Sequence, residues 1–279
     1  MRPTWLIESG VYGAAADPLL AEIHRQGMVG ELVPPQALKK GSVPVVRGRP
    51  LADSDCVIGY GTFPFARQIQ LHHPWVPGAW CNPETLDCTA YYAHFGRFLL
   101  NQHYTIMPGV EAIRQQDWLY AVFGRGGEVF ARPTGCGKLF VGRRIARENF
   151  TTALAPTRID PATRVVVAAV RPIDREWRVV VAHNAVIAAS QYARGGVRDI
   201  APGCPDEVRS FAEGMLAEIH WRPDPIFMLD VCEAEGRLWL VELNGFSCSW
   251  LYQCDLAAVV SQASELASQA WANSNRAKA

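Results

Sequence analysis

The sequence predicts a small α/β layer followed by a larger part in which antiparallel sheet and helices are segregated, and three observations carry that reading. Strand-like and helix-like segments alternate at the start of the chain. From Arg164 the texture changes to long runs rich in Val and Ala, at residues 165–170, 177–182 and 185–192, which read as an antiparallel sheet. Near the end, residues 227–231 and 238–243 are apolar segments either side of a short polar turn, the pattern of a hairpin.

Residues 4–7 are the first strand, and the helix over 18–26 is closed by Gly27. Strands over 29–33 and 56–59 follow, then a turn into 65–70. Parallel pairing is the consequence of such alternation. The Pro- and Gly-rich stretch 73–78 marks a boundary. Beyond it, residues 88–100 space their apolar side chains for an amphipathic helix. A strand then ends in Val129-Phe130-Ala131-Arg132, a Gly-bearing loop follows, and another strand begins near Phe140. Helix 205–221 starts with Pro and acidic residues in its first turn. A last helix over 256–271 packs back by its Ala- and Leu-bearing face, and residues 273–279 are expected to fray. The expected division is 1–78, 79–163 and 164–279.

A chain of 279 residues that is 49% hydrophobic can bury sizeable cores. Basic and acidic residues number 27 each, so the net charge is zero, which argues against a nucleic-acid or membrane-surface binder held by electrostatics. No apolar run is long enough for a bilayer and no signal-peptide pattern opens the chain, so a cytoplasmic location is expected. The eight cysteines include no C-x-x-C pair and are expected to be reduced thiols. His72-His73 with Cys81 lack a fourth ligand at zinc-like spacing, and a structural role is favoured.

The hairpin carries the chemistry. Asp230, Glu242 and Asn244 are hard oxygen donors set into apolar strands, where an isolated carboxylate is costly to bury. A cation is the expected partner, and Mg²⁺ with a nucleotide's phosphates suits one or two carboxylates. Either carboxylate alone could simply face solvent. Glu242 and Asn244 share a face by the two-residue period. Asp230 joins them only if an odd-numbered loop or a bulge corrects the register, because a two-residue turn at Glu235-Gly236 would otherwise send it to the opposite face.

Cations occur upstream. Between Arg125 and Arg147 the chain has Arg125, Arg132, Lys138, Arg143, Arg144 and Arg147 against Glu128, a bias that suits an anionic ligand, although a solvated basic face accounts for the last three. Arg132-Pro133-Thr134-Gly135-Cys136-Gly137-Lys138 can cradle a triphosphate with backbone N–H groups and Lys138. It is not a P-loop, and a hairpin turn with a surface Lys would look the same. Glu176 and Arg178 share one face of an apolar strand, as an anion site or as a salt bridge across the sheet. Tyr192, Arg194 and Arg198 flank Gly195-Gly196, which suits a loop that meets a carboxylate, or an ordinary exposed loop. Gly59-Tyr60-Gly61-Thr62 could approach a ligand or form a tight turn.

Taken in order, Phe130-Ala131-Arg132-Pro133, Glu176-Trp177-Arg178, Leu229-Asp230 and Val241-Glu242-Leu243-Asn244 resemble the ATP-grasp superfamily. Arg132 stands where most of that superfamily has Lys, and with Lys138, Ser190-Gln191-Tyr192 and Phe246-Ser247-Cys248-Ser249-Trp250-Leu251-Tyr252 it looks like the clade with that exchange. The resemblance, over about residues 80–265, implies an α+β fold of two lobes that grip ATP, preceded by a small α/β domain. It implies Mg²⁺ on Asp230, Glu242 and Asn244, phosphates on Arg132, Lys138 and Arg178, ribose or phosphate near Glu176, and adenine against Val167, Ala168, Ala169 and Val170. Arg178 and Lys138 would stabilise developing charge. Tyr192, Arg194, Arg198 and Ser247 would lie at the substrate. The implied activity is a carboxylate-amine ligase that runs through an acyl phosphate, with a kinase on the same scaffold or a non-catalytic nucleotide binder as alternatives.

Overall fold

The computed structural model describes residues 1–137 and 139–278. The chain forms β1 (Thr4–Glu8), α1 (Ala16–Arg25), β2 (Val29–Val33), the short β3 (Val45–Val46) and β4 (Arg49–Pro50), β5 (Cys56–Tyr60), α2 (Phe63–His72) and β6 (Val76–Gly78). Strands β2-β1-β5-β6 make one all-parallel sheet, as the alternation implied. Thr62 caps α2 by accepting from Phe65 N, and the residues before it serve packing. A Cβ at Gly59 would lie 2.1 Å from Ile69 Cδ1, so this glycine lets α2 approach the sheet.

Next come α3 (Cys88–Phe95), β7 (Tyr104–Pro108), α4 (Gly109–Arg114), α5 (Gln116–Phe123), β8 (Glu128–Pro133), β9 (Arg143–Ala146), α6 (Phe150–Ala153) and β10 (Arg164–Ala169). The order β7-β10-β8-β9 is antiparallel. Strand β10 therefore belongs here and not with the later β runs, and a boundary at residue 163 would cut through this sheet. Its Val-rich composition reflects burial on both faces and says nothing about its neighbours. In β8, Val129, Ala131 and Pro133 are buried, the first two against α5 and α6, while Phe130 and Arg132 fall on the other face by the two-residue period.

The third sheet comprises β11 (Arg175–Ala182), β12 (Ala185–Arg194), β13 (Val197–Pro202), then, after α7 (Asp206–Glu218), β14 (Ile226–Ala234) and β15 (Arg237–Gly245), in the order β13-β12-β11-β14-β15. Its hairpins turn through His183-Asn184, Gly195-Gly196 and Glu235-Gly236, six residues with positive φ, the geometry of two-residue turns matched to strand twist. One face packs Trp177, Val179, Leu229 and Val231 with α7 residues such as Ala212 and Met215. The opposite face is apolar at Val180, Ala188 and Met228, where α8 (Leu256–Lys278) covers it.

Helix α8 also packs on α1, β5 and β6, so the end of the chain closes the first sheet and the third together. It continues to Lys278, past the fraying expected from residue 273, and Ala279 lies outside the described residues. All eight cysteines are free, with Cys81 Sγ 2.8 Å from Cys248 Sγ. His73 stacks on Trp75 at 4.1 Å. Among the described residues no helix is long and apolar enough to cross a membrane.

The end of β15 is fastened to the segment after β6. A Cβ at Gly245 would lie 2.9 Å from both Cα and Sγ of Cys81. Because backbone cannot yield there as a side-chain tip can, Gly245→Ala should destabilise the fold by about 1–3 kcal/mol in urea denaturation. A change below measurement error would show that the two segments are not in tight contact.

Candidate functional site

A cleft of about 640 Å³ opens between the second and third sheets. Phe130, Phe140, Val170 and Ile173 give it apolar walls, and Arg132, Arg143, Glu176 and Glu242 give it charge. Two features of strand geometry deliver these groups: the alternation of β8, which presents Phe130 and Arg132, and a bulge in the hairpin. The loop at Glu235-Gly236 is two residues, yet the register shifts between Asp230 and Val231, so Asp230 lies directly opposite Glu242. The bulge thereby puts Asp230, Glu242 and Asn244 on one face.

On that face the polar groups are densely paired. Asn244 Nδ2 donates to Asp230 Oδ2 at 3.1 Å and to Glu242 Oε1 at 2.9 Å. Arg178, opposite Asp230 on β11, grips both carboxylate oxygens, Nε to Oδ1 at 2.9 Å and Nη2 to Oδ2 at 2.7 Å, while Nη1 donates to Trp250 O at 3.0 Å. Arg132 reaches across from the second sheet to Glu242, Nη1 to Oε2 at 2.7 Å. Tyr192, the extra residue of a bulge in β12, donates its hydroxyl to Glu176 Oε2 at 2.8 Å. Burial pushes the Glu176 carboxyl above its ordinary range despite the opposing effect of that hydrogen bond.

Not every expected residue reaches the cleft. Glu242 lines it, whereas Asp230 and Asn244 lie behind, 2% and 6% exposed. Arg178 is also buried behind the cleft with three N–H groups committed, so the expectation that it meets phosphate gives way to one in which it holds Asp230. Val167 and Ala168 are core residues of β10; the cleft wall starts at Ala169 and Val170 and continues through Arg171, Pro172 and Ile173. Lys138 lies outside the described residues. Ser247, expected at the substrate, is fully buried: its Oγ accepts from Trp80 N at 2.9 Å and its carbonyl from Gly61 N at 2.8 Å. It joins the first sheet to the hairpin, and the turn at Gly61 is part of that joint. Arg194 is exposed and paired with Asp199 at 3.4 Å, and Arg198 stacks on Trp250. Arg143 and Arg144, expected on a solvated face, line the cleft, although Arg144 also pairs with Glu128.

Sequence reasoning missed the apolar walls. Leu100, Phe140 and Ile173 carry no local signal, since only the facing of two sheets makes them a common surface.

The family model described as "ATP-grasp domain, R2K clade family 3" matches residues 63–263. The chain belongs to that ATP-grasp family. No curated protein matches its sequence. Among solved structures, this ATP-grasp chain resembles D-cycloserine synthetase DcsG (TM-score 0.62, 14% identity, 95% of this chain and 99% of that one). It also resembles D-alanyl-alanine synthetase A from Vibrio cholerae O1 biovar eltor (0.61, 12%, 98% of each chain). A third is the ATP-grasp ligase PsnB complexed with minimal precursor (0.58, 12%, 96% and 99%). At such identities the likeness establishes the ATP-grasp fold.

Among the described residues no group of three His, Cys, Asp or Glu side chains is arranged to hold a metal. The donor set on offer is two carboxylates and an amide. A half-turn of the Asn244 amide exchanges Nδ2 for Oδ1, and each carboxylate oxygen accepts more than one bond, so the set fits a hard divalent cation.

Two expectations follow from these pairs. Arg178→Met leaves Asp230 buried beside a missing partner and should cost about 3–5 kcal/mol in urea unfolding, with Asp230→Asn in the same chain recovering part of it. Equal losses in the single and double variants would mean that the pair is not coupled. Glu176, whose folded pKa is raised, contributes its full stability below the ordinary carboxylate pKa of about 4 and loses it as the pH rises through the raised value. Glu176→Gln should therefore gain stability relative to the parent as the pH climbs, read from urea midpoints across pH.

Proposed function

We propose that this ATP-grasp chain is an ATP- and Mg²⁺-dependent ligase that joins a carboxylate to an amine through an acyl phosphate. The observation that carries the reading is the meeting of Arg132 from the second sheet with Glu242 from the third, at a cleft whose remaining walls are largely apolar. A flat base suits Phe130, Phe140, Val170 and Ile173, with the backbone of residues 169–173 at its edge, and Glu176 with Tyr192 suits the ribose hydroxyls. Arg132 binds phosphate oxygens, together with Lys138 of the glycine-bearing loop.

Mg²⁺ would be held by Glu242, Asp230 and Asn244 and would supply charge neutralisation at the phosphate oxygens. Arg178 is a positioning residue in this scheme, since it fixes the Asp230 carboxylate and the Trp250 carbonyl. The substrate carboxylate attacks the γ-phosphate, ADP leaves, and the amine displaces phosphate from the acyl carbon. No side-chain nucleophile takes part. Tyr192 and Arg198 stand on the side of the cleft where the acceptor enters; Arg194, bound to Asp199, is the weaker choice.

Glu242→Gln, which keeps volume and removes charge, should lower ATP turnover about a hundredfold or more while the chain still unfolds in one cooperative urea transition. Turnover at the parent rate would remove Glu242 from the site. The intermediate is tested with hydroxylamine in place of the amine and a pool of carboxylic acids. A ligase yields ADP and hydroxamate together, whereas ADP with a stable phosphate ester and no hydroxamate would establish a kinase.

A further inference from the structure

A second cavity, of about 360 Å³, adjoins the cleft and is lined by Tyr192, Ala193, Arg198, Trp250 and Tyr252. Tyr192 lines both spaces, so this residue is common to the two. Three of the five lining residues are aromatic and their rings are held in place. Tyr192 and Tyr252 stack at 5.2 Å with 13° between planes, and Trp250 lies 6.4 Å from Tyr252 and 5.3 Å from Tyr12. Arg178 sits 5.8 Å and 5.2 Å from the two tyrosine rings and bonds the Trp250 carbonyl. The guanidinium that holds Asp230 thus also holds these walls. Tyr252 has φ +50°, a left-handed backbone that a bulky residue seldom adopts, and such strain concentrates where a side chain must be aimed.

The charge of the cavity decides what it takes. Arg194 is paired with Asp199, which also accepts from Gln191 Nε2 at 2.9 Å. Among the described residues no carboxylate lies within ion-pair distance of Arg198, whose guanidinium is 5.6 Å from the Trp250 ring. An ammonium group would meet Arg198 as a like charge. A carboxylate would be attracted by it, and a planar ring would find aromatic surfaces to stack on. An aliphatic acid would satisfy only the charge.

We propose that this cavity is the second-substrate site and that its ligand is an aromatic amino acid with a free carboxylate, the ring packed against Trp250 and Tyr252 and the carboxylate on Arg198. This rests on the reading of the neighbouring cleft as a nucleotide-dependent ligase site. The same chemistry is offered by a free amino acid and by the C-terminal residue of a peptide.

The test is calorimetry on the full chain with Mg²⁺ and a non-hydrolysable ATP analogue, whose own affinity is measured first. Phenylalanine and tryptophan, glycyl-phenylalanine, leucine and phenethylamine are then titrated. An aromatic acid, free or as the dipeptide, should bind about tenfold or more tighter than leucine and than the amine that lacks the carboxylate. Which aromatic arm binds identifies the source. Arg198→Gln and Trp250→Leu should each lower that affinity about tenfold with the analogue's affinity unchanged. The proposal is overturned if leucine or phenethylamine binds as well as the aromatic acids, if neither substitution has an effect, or if the analogue binds and no aromatic acid does. Failure of the analogue itself to bind would instead overturn the nucleotide reading of the cleft.

Discussion

The two-pronged bond from Arg178 to Asp230 is the interaction on which the polar end of the third sheet depends. Both side chains are nearly inaccessible, and desolvating two charges costs several kcal/mol per ion unless geometry and further hydrogen bonds compensate. The compensation is visible: three donors from Arg178, an amide from Asn244, and a backbone carbonyl from Trp250. Arg178 meets Asp230 through the unbroken register of β11 and β14, whereas the amide from Asn244 depends on the bulge, in which the extra residue Val241 of β15 brings Glu242 and Asn244 to the face of Asp230. A local irregularity of one strand is thus the condition for Glu242 and Asn244 to join the Arg178–Asp230 pair.

The same face of the sheet explains how the chain closes. Where Val180, Ala188 and Met228 make it apolar, α8 covers it and continues onto the first sheet. Where Arg178 and Asp230 make it polar, the aromatic segment after β15 covers it, through Trp250 and Tyr252. Ser247 connects the two regimes, since its backbone and hydroxyl bind Trp80 and Gly61 of the N-terminal part. A serine in that position serves assembly, and burial is the reason it cannot meet a substrate.

Much of this constellation is legible in the amino-acid sequence. The acidic hairpin, the shared face of Glu242 and Asn244, and the need for a bulge or odd loop at Asp230 all follow from the two-residue period of strands and the cost of burying charge. What is not legible has a common cause. Period and composition describe one strand at a time, so the Val-rich β10 resembles its successors although it pairs with β7 and β8. Likewise Val167 and Ala168 cannot be told from Ala169 and Val170, because only the end of a strand emerges from a sheet into a cleft. Arg178 stands out as a cation in an apolar strand, but two of its donors are consumed by a residue 52 positions away and a third by one 72 positions away, facts of pairing that no local pattern encodes.

The two arginine–carboxylate pairs differ in a way that bears on how the cleft works. Arg178 and Asp230 sit on adjacent strands of one sheet with side chains 7% and 3% exposed, so separating them strands a charge in the interior. Arg132 and Glu242 come from different sheets, with side chains 11% and 17% exposed, and water can reach what their separation uncovers. A pair at that depth is worth less than a sealed one and is screened more. The cleft accordingly has a fixed half and an exchangeable half. An anionic ligand that replaces Glu242 at Arg132 trades one charge-assisted bond for another at small net cost, whereas the same trade at Arg178 would leave the Asp230 carboxylate buried without its partner.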